Sequence, residues 1–243
     1  MGGIFMKHYA AFAILLTIPM AWSQASQSSK IPRMPDERPD FQGVWDHPYV
    51  ADMSRDAKDQ KGAGPLPFSP AGADNFKNYD PAKFDYTGHC LPFGIMRSVN
   101  VGGYPIQIMQ NAKYLAFLFE QSTWFHIVYI DGREHPAEVE PTWFGNSIGK
   151  FDGDTLTVDT VGFNGKTRLD TIGHPHSDKM HLIQTFRYTD PNHLAYEVTI
   201  DDPVMYTKPW KNQRVFTRMK PGEELIEYSC EENNRDLTNG HIK

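Results

Sequence analysis

Two short segments gather imidazole, carboxylate and guanidinium groups: Asp131-Gly132-Arg133-Glu134-His135-Pro136 and Gly173-His174-Pro175-His176-Ser177. An imidazole titrates near neutrality, so His135 is a candidate general base. Arg133 beside it could hold an anionic or phenolate oxygen. His174 and His176, two apart on an extended segment, could face one metal ion, although a tetrahedral site needs a third protein ligand. His135, His181 or Asp178 could supply it, but no spacing here matches a zinc signature. Turn chemistry alone also accounts for Asp131-Gly132, so a structural corner is the competing reading.

Further candidates come from the strands around these corners. Alternation across 124–130 places Trp124, His126, Val128 and Ile130 on one face, with Phe125, Ile127 and Tyr129 on the other. Both faces are apolar, which predicts a strand covered on both sides. In the preceding strand Tyr114, Ala116, Leu118 and Glu120 share a face. Glu120 thereby ends an apolar face, where desolvation raises a carboxyl pKa; a solvated or arginine-paired rim residue is the alternative. Arg187 and Glu197 could pair across strands, either in solvent or as the polar wall of a cavity. The catalytic reading takes His135 as base, Glu120 or His174 as acid, and Arg97 or Arg187 as oxyanion anchor. Trp124, His126, Phe117, Tyr129 and Tyr196 would bind the ligand, with Phe119 and Phe186 beside them. Asp201-Asp202-Pro203 is an acidic pair of the kind that usually ends a strand. No nucleophile elbow, phosphate-cradling glycine loop or dinucleotide fingerprint is present.

The elements that must position these residues are mostly strands. From residue 104 onward the period is two, with strands expected at 104–110, 114–120, 124–130, 147–151, 155–160, 180–188, 194–200, 213–219 and 224–229. An opening strand is expected at 41–45. Asp152-Gly153 signals a two-residue type I′ hairpin turn. Many short strands with tight links and almost no amphipathic helix favour an all-β fold, an antiparallel barrel or sandwich of about 8–10 strands. Residues 51–100 are irregular apart from a short helix near 70–79, and form a cap or lid. The expected organisation is a signal peptide at 1–25, a flexible proline-rich lead-in at 26–40 and one barrel domain at 41–235.

Lys7 and His8 precede the apolar run 9–21, followed by small residues that fit a cleavage site. The run is short for a bilayer span, which takes about 20 apolar residues. The mature chain is therefore expected in the periplasm or outside the cell, with no membrane span after cleavage. The 243 residues carry a net charge of −6 without a basic, aromatic-interleaved stripe, which argues against nucleic acid as a partner. The two cysteines, Cys90 and Cys230, invite a disulfide in an oxidising compartment, two free thiols being the alternative.

The two histidine corners, together with Ser147-Ile-Gly149, the run 153–164 and Thr199-Ile-Asp-Asp-Pro203, resemble one large family of exported bacterial proteins, mostly of unassigned function. The likeness covers roughly 38–232. Where that family usually carries a basic residue in the second corner strand, this chain has His126. Gly43-Val-Trp45 opening a meander of hairpins is similar to the calycin (lipocalin-like) barrels. That resemblance implies a cavity for a small apolar or aromatic molecule, and in some members cofactor-free isomerase, cyclase or lyase chemistry; fold likeness alone does not confer function. Three readings follow: an acid–base enzyme of lyase or isomerase type needing no cofactor, a carrier for an apolar ligand, and a metalloprotein using His174 and His176.

Overall fold

The computed structural model describes residues 30–47 and 49–232, with Gly2; otherwise the expected signal peptide and the first lead-in residues lie outside the described residues. Ten strands form one sheet: β1 (Gly43–Asp46), β2 (Gln60–Lys61), β3 (Ile106–Gln110), β4 (Tyr114–Phe119), β5 (Phe125–Tyr129), β6 (Asn146–Asp152), β7 (Thr155–Val161), β8 (His181–Asp190), β9 (His193–Asp201) and β10 (Trp210–Arg218). β3 to β10 follow one another in space, and β1 pairs with both β3 and β10, closing a nine-strand barrel. β2 adds to β10 at Gln213 and Arg214, beyond the reach of β1.

The barrel is mixed, not wholly antiparallel as expected, because β5 and β6 run parallel. Parity requires this. Strand direction must return to itself around a closed ring, so antiparallel contacts must be even in number, and nine strands leave one parallel contact. The chain makes it through residues 130–145, a link of the length a parallel pair needs.

Burial alternates as a period-two sequence dictates. Leu182, Gln184, Phe186 and Tyr188 point inward from β8, and Leu194, Tyr196, Val198 and Ile200 from β9. On β4 the inward set is Leu115, Phe117 and Phe119, which leaves Tyr114 and Leu118 outside. β5 turns His126 and Val128 inward, but Phe125 is 62% exposed, so its outer face is not covered as expected. The β6–β7 turn is Gly153-Asp154, with positive φ at Gly153 alone, which is the II′ pattern instead of I′. No strand forms at 224–229; the segment crosses the barrel end as an irregular strap. It ends in a disulfide between Cys230 and Cys90.

The registers sort the connections by end. Short turns at 111–113, 153–154 and 191–192 close one end. The links 97–105, 120–124, 162–180 and 202–209 gather at the other, over which residues 51–100 pack. There helix α1 (Pro70–Lys77) is capped by Ser69, whose side chain accepts from the Gly72 N–H and donates to the Val204 carbonyl. Gly72 lies so close to the Met205 carbonyl that any Cβ would collide with it, so a glycine is required for this helix to dock. Among the described residues no helix is long and apolar enough to cross a membrane.

Candidate functional site

Most of the expected chemistry sits at the loop-bearing end. A cleft of about 340 Å³ opens there, walled by Tyr49, Phe93, Arg97, Tyr104, Gln121 and Thr171, with Gly102 and Gly103 at its base. A narrow recess continues from it past Arg97 to Glu120. Glu120 is 8% exposed; one carboxylate oxygen accepts the Ile226 N–H of the strap at 3.0 Å. Arg97 is held by Asp85, whose two oxygens accept from Nη1 at 2.9 and 3.0 Å, and its guanidinium lies 5.6 Å from the Phe93 ring. Its Nε and Nη2 groups make no hydrogen bond among the described residues. Two residues proposed for proton transfer and anion anchoring thus share one recess.

His174 lies behind the cleft wall. Its Nδ1 is 2.5 Å from Asp170 Oδ2, and its ring stacks on Phe76 at 4.8 Å. Asp170 is fully buried and also accepts the backbone N–H groups of Met53, Gly173 and His174. Thr171, next in sequence, bonds Tyr49 across the cleft at 2.7 Å. The Asp170–His174 pair therefore fixes a loop that shapes the cleft. Asp52, Asp170 and His174 bring ligand atoms within 4.8 Å of one another. The Asp170 oxygens, however, already take four N–H donors, and Asp52 is engaged by Ser54 and Arg55. Such saturated carboxylates offer a cation little.

The alternative metal pair of His174 and His176 does not converge among the described residues. His176 Nδ1 donates to its neighbour's carbonyl, Ser177 O, at 3.0 Å, so Nε2 accepts from the Thr167 hydroxyl at 2.6 Å. Both nitrogens are used, and burial pushes this imidazole's pKa down. Ser177 in turn binds Asp202 through its N–H and hydroxyl, and Asp202 also caps Val204 and Met205, which makes the acidic pair's buried member a structural staple.

His135 does not meet His174. It lies on the outer flank, with Nδ1 2.7 Å from Asn146 Oδ1 and Nε2 3.2 Å from Asp159 Oδ1. His181 Nε2 reaches the same Asp159 oxygen at 2.9 Å. One carboxylate thus bridges two imidazoles drawn from the link before β6 and the start of β8. Arg133 is occupied elsewhere, paired with Asp131 and lying 3.7 Å from the centre of the outward Tyr129 ring.

Inside the barrel, His126 Nε2 lies 2.8 Å from Ser147 Oγ, which lies 2.6 Å from Thr160 Oγ1. Burial lowers the His126 pKa to about 4. The rings expected to line an open cavity touch one another: Phe117 and Phe186 are 5.6 Å apart, Phe186 and Tyr196 5.0 Å. They lie in the packed core. Trp124 sits at the loop end, packed against that core. Arg187 stands apart: it points outward and pairs in register with Thr155 beside the tight turns, six residues from His181 along β8, or about 20 Å. It also does not pair with Glu197, which binds Lys211 and Gln213.

The loop end also holds what sequence reading missed. Buried polar atoms of His47, Ser98, Asn100, Ser122, Trp124 and Trp210 have no hydrogen-bond partner among the described residues. Groups of this kind are rare in native interiors and concentrate where structure serves function. His47 lies under Gly102, whose missing side chain makes room for the imidazole, and burial with Arg214 nearby lowers its pKa to about 3. Gly102-Gly103 and the placement of Asp170 four residues before His174 were the available sequence signals. Comparison with protein-family models and with curated proteins finds no match to this chain.

Proposed function

We propose that this chain is an exported acid–base enzyme, of lyase or isomerase type, acting on a small aromatic molecule that carries an anionic or phenolic oxygen. The observation that carries the reading is the buried Glu120 carboxyl and the open N–H donors of Arg97 at one recess, beside a cleft walled by Phe93 and Tyr104. Substrate lies in the cleft with its ring against these aromatics. Glu120 takes a proton from one substrate atom and returns it to another, while Arg97 N–H groups hold the charge that develops on oxygen. Asp170 and His174 position the Thr171 wall. His135 belongs to the flanking His135–Asp159–His181 cluster and does not line the cleft. The closed β-barrel is consistent with the calycin-like likeness, and the disulfide fits an oxidising, periplasmic or extracellular setting.

Solvent deuterium exchange tests the reading. Aromatic carbonyl compounds and phenols, phenylpyruvate among them, are incubated with protein in D2O and followed by proton NMR. The expected result is catalysed exchange or conversion of at least one compound. Glu120→Gln should lose about 100-fold in rate while still binding, and Arg97→Gln should weaken binding and rate together. Full activity in Glu120→Gln would sink the proposal. Saturable binding to wild-type protein with no exchange for any compound would assign the cleft to carriage instead.

A further inference from the structure

A recess larger than the cleft lies elsewhere on the described structure. A trough of about 700 Å³ runs along the outer wall across β7 to β10, roofed on one side by the hairpin at 57–61. Its floor comes from outward positions of the sheet, the register pair Ala195 and Val215 on β9 and β10, with the hydroxyls of Thr185 and Thr155 beyond them on β8 and β7. Small side chains on adjacent strands create the depth. The size falls within the range of small-molecule sites.

Of the two arginines that line the trough, the buried Arg214 bonds Gln60 at 3.4 Å, and charge pairing among the described residues leaves Arg187 over. Glu197 is bound by Lys211 at 2.6 Å and by Gln213 at 2.9 Å. Lys61 is bound by Asp56 at 2.8 Å, and Asp59 lies 3.8 Å from Lys58. Arg187 makes no ion pair among the described residues; its only hydrogen bond is a long one, 3.5 Å, to the Tyr188 carbonyl. A planar guanidinium with open donors matches a carboxylate in bidentate fashion. Around it the wall offers hydroxyl and carboxamide groups, while the ring of Tyr196 faces the barrel interior. That surface suits a hydroxyl-rich ligand, not an aromatic one.

We infer that the outer trough is a second binding site, separate from the cleft, for a hydroxylated carboxylate of the sugar-acid class, with Arg187 as its anchor. The site lies beside the tight turns, at the other end of β8 from the cluster at His181, so its occupancy does not depend on the chemistry proposed for the cleft.

Titration of the full chain with glucuronate, glucose and benzoate, followed by calorimetry and by amide NMR shifts, tests this. Glucuronate should bind saturably and move the signals of Thr185, Ala195 and Val215. Arg187→Gln should weaken glucuronate by about tenfold or more and leave glucose unchanged, as expected for loss of a charge-assisted contact. Ala195→Leu, an outward substitution that leaves the core intact, should fill the floor and block glucuronate even where Arg187 is present. Absence of saturable glucuronate binding, equal binding by Arg187→Gln, or shifts confined to Tyr104 and Gln121 in the cleft would each overturn the inference.

Discussion

Three imidazoles at the loop end are held neutral by burial. His47 and His126 have pKa values lowered to about 3 and about 4, and that of His176 is lowered as well. A histidine whose folded pKa is depressed binds more protons unfolded than folded between the two values. Its contribution to stability is complete above the unfolded value near 6.5 and is lost as pH falls towards the folded value. Stability from urea titrations should therefore drop steeply from pH 6.5 to pH 4, by about 1.4 kcal/mol per pH unit for each of His47 and His126, with His176 adding in the same direction. His126→Gln should flatten that slope. An unchanged slope would show that the imidazole is solvated in the folded protein. Asp170 makes the opposite case at the same scale. Asp170→Asn turns an acceptor oxygen into an N–H donor among four donors, and should cost about 3 kcal/mol by chemical denaturation. Loss of hydrogen-exchange protection at Met53 and His174 should accompany it.

Among the elements, the strap at 224–230 combines the weakest local structure with the most direct access to the candidate acid. It has no helix or strand, Ile226 is 69% exposed, and its ties are the Ile226–Glu120 hydrogen bond, the Tyr228–Tyr104 ring contact at 5.6 Å and the disulfide. Replacing both cysteines by serine should free it. The expected outcome is fast amide exchange at Ile226 and easier entry of ligand to Glu120. Overall stability should fall by about 2–4 kcal/mol, the usual worth of a disulfide. Protection of Ile226 surviving in the double variant would mean that packing, not the covalent link, holds the strap. Short links at the opposite end leave no comparable freedom, which is why that end carries turns and the loop end carries the cleft.

At the scale of the molecule, stability depends on closing the ring. β1 meets β10 over only Trp45–Arg218 and Asp46–Thr217. Trp45 is fully buried, its Nε1 donates to the Phe41 carbonyl at 3.0 Å, and the Arg218 guanidinium lies 4.3 Å from its ring. Trp45→Ala should cost about 3–5 kcal/mol, the range for emptying a core aromatic site. Exchange should speed first along β1 and β3. Uniform loss of protection through β8 and β9 would mean instead that the barrel unfolds as one unit.

Local pattern made much of this legible in advance. Period-two alternation separates Leu182, Gln184 and Phe186 from His181, Ile183 and Thr185 on β8, because side-chain direction along a strand is a property of neighbouring residues; the barrel turns the first set inward. The Cys90–Cys230 pair was equally readable, being the one pairing two cysteines allow. Other features depend on distant segments. The strap at 224–229 alternates like a strand yet finds no partner edge, since β1 already pairs beside β10. Arg187 and Glu120 looked like members of one constellation, but strand direction sends the first to the turn end and the second to the loop end. Thus the sequence by itself determined most of the strands, the alternation along them and the one pairing open to its two cysteines. Only the tertiary structure decided the odd-numbered closure, its single parallel contact and the meeting of Arg97 with Glu120, because ring order and barrel end are set by pairings between residues far apart in the chain.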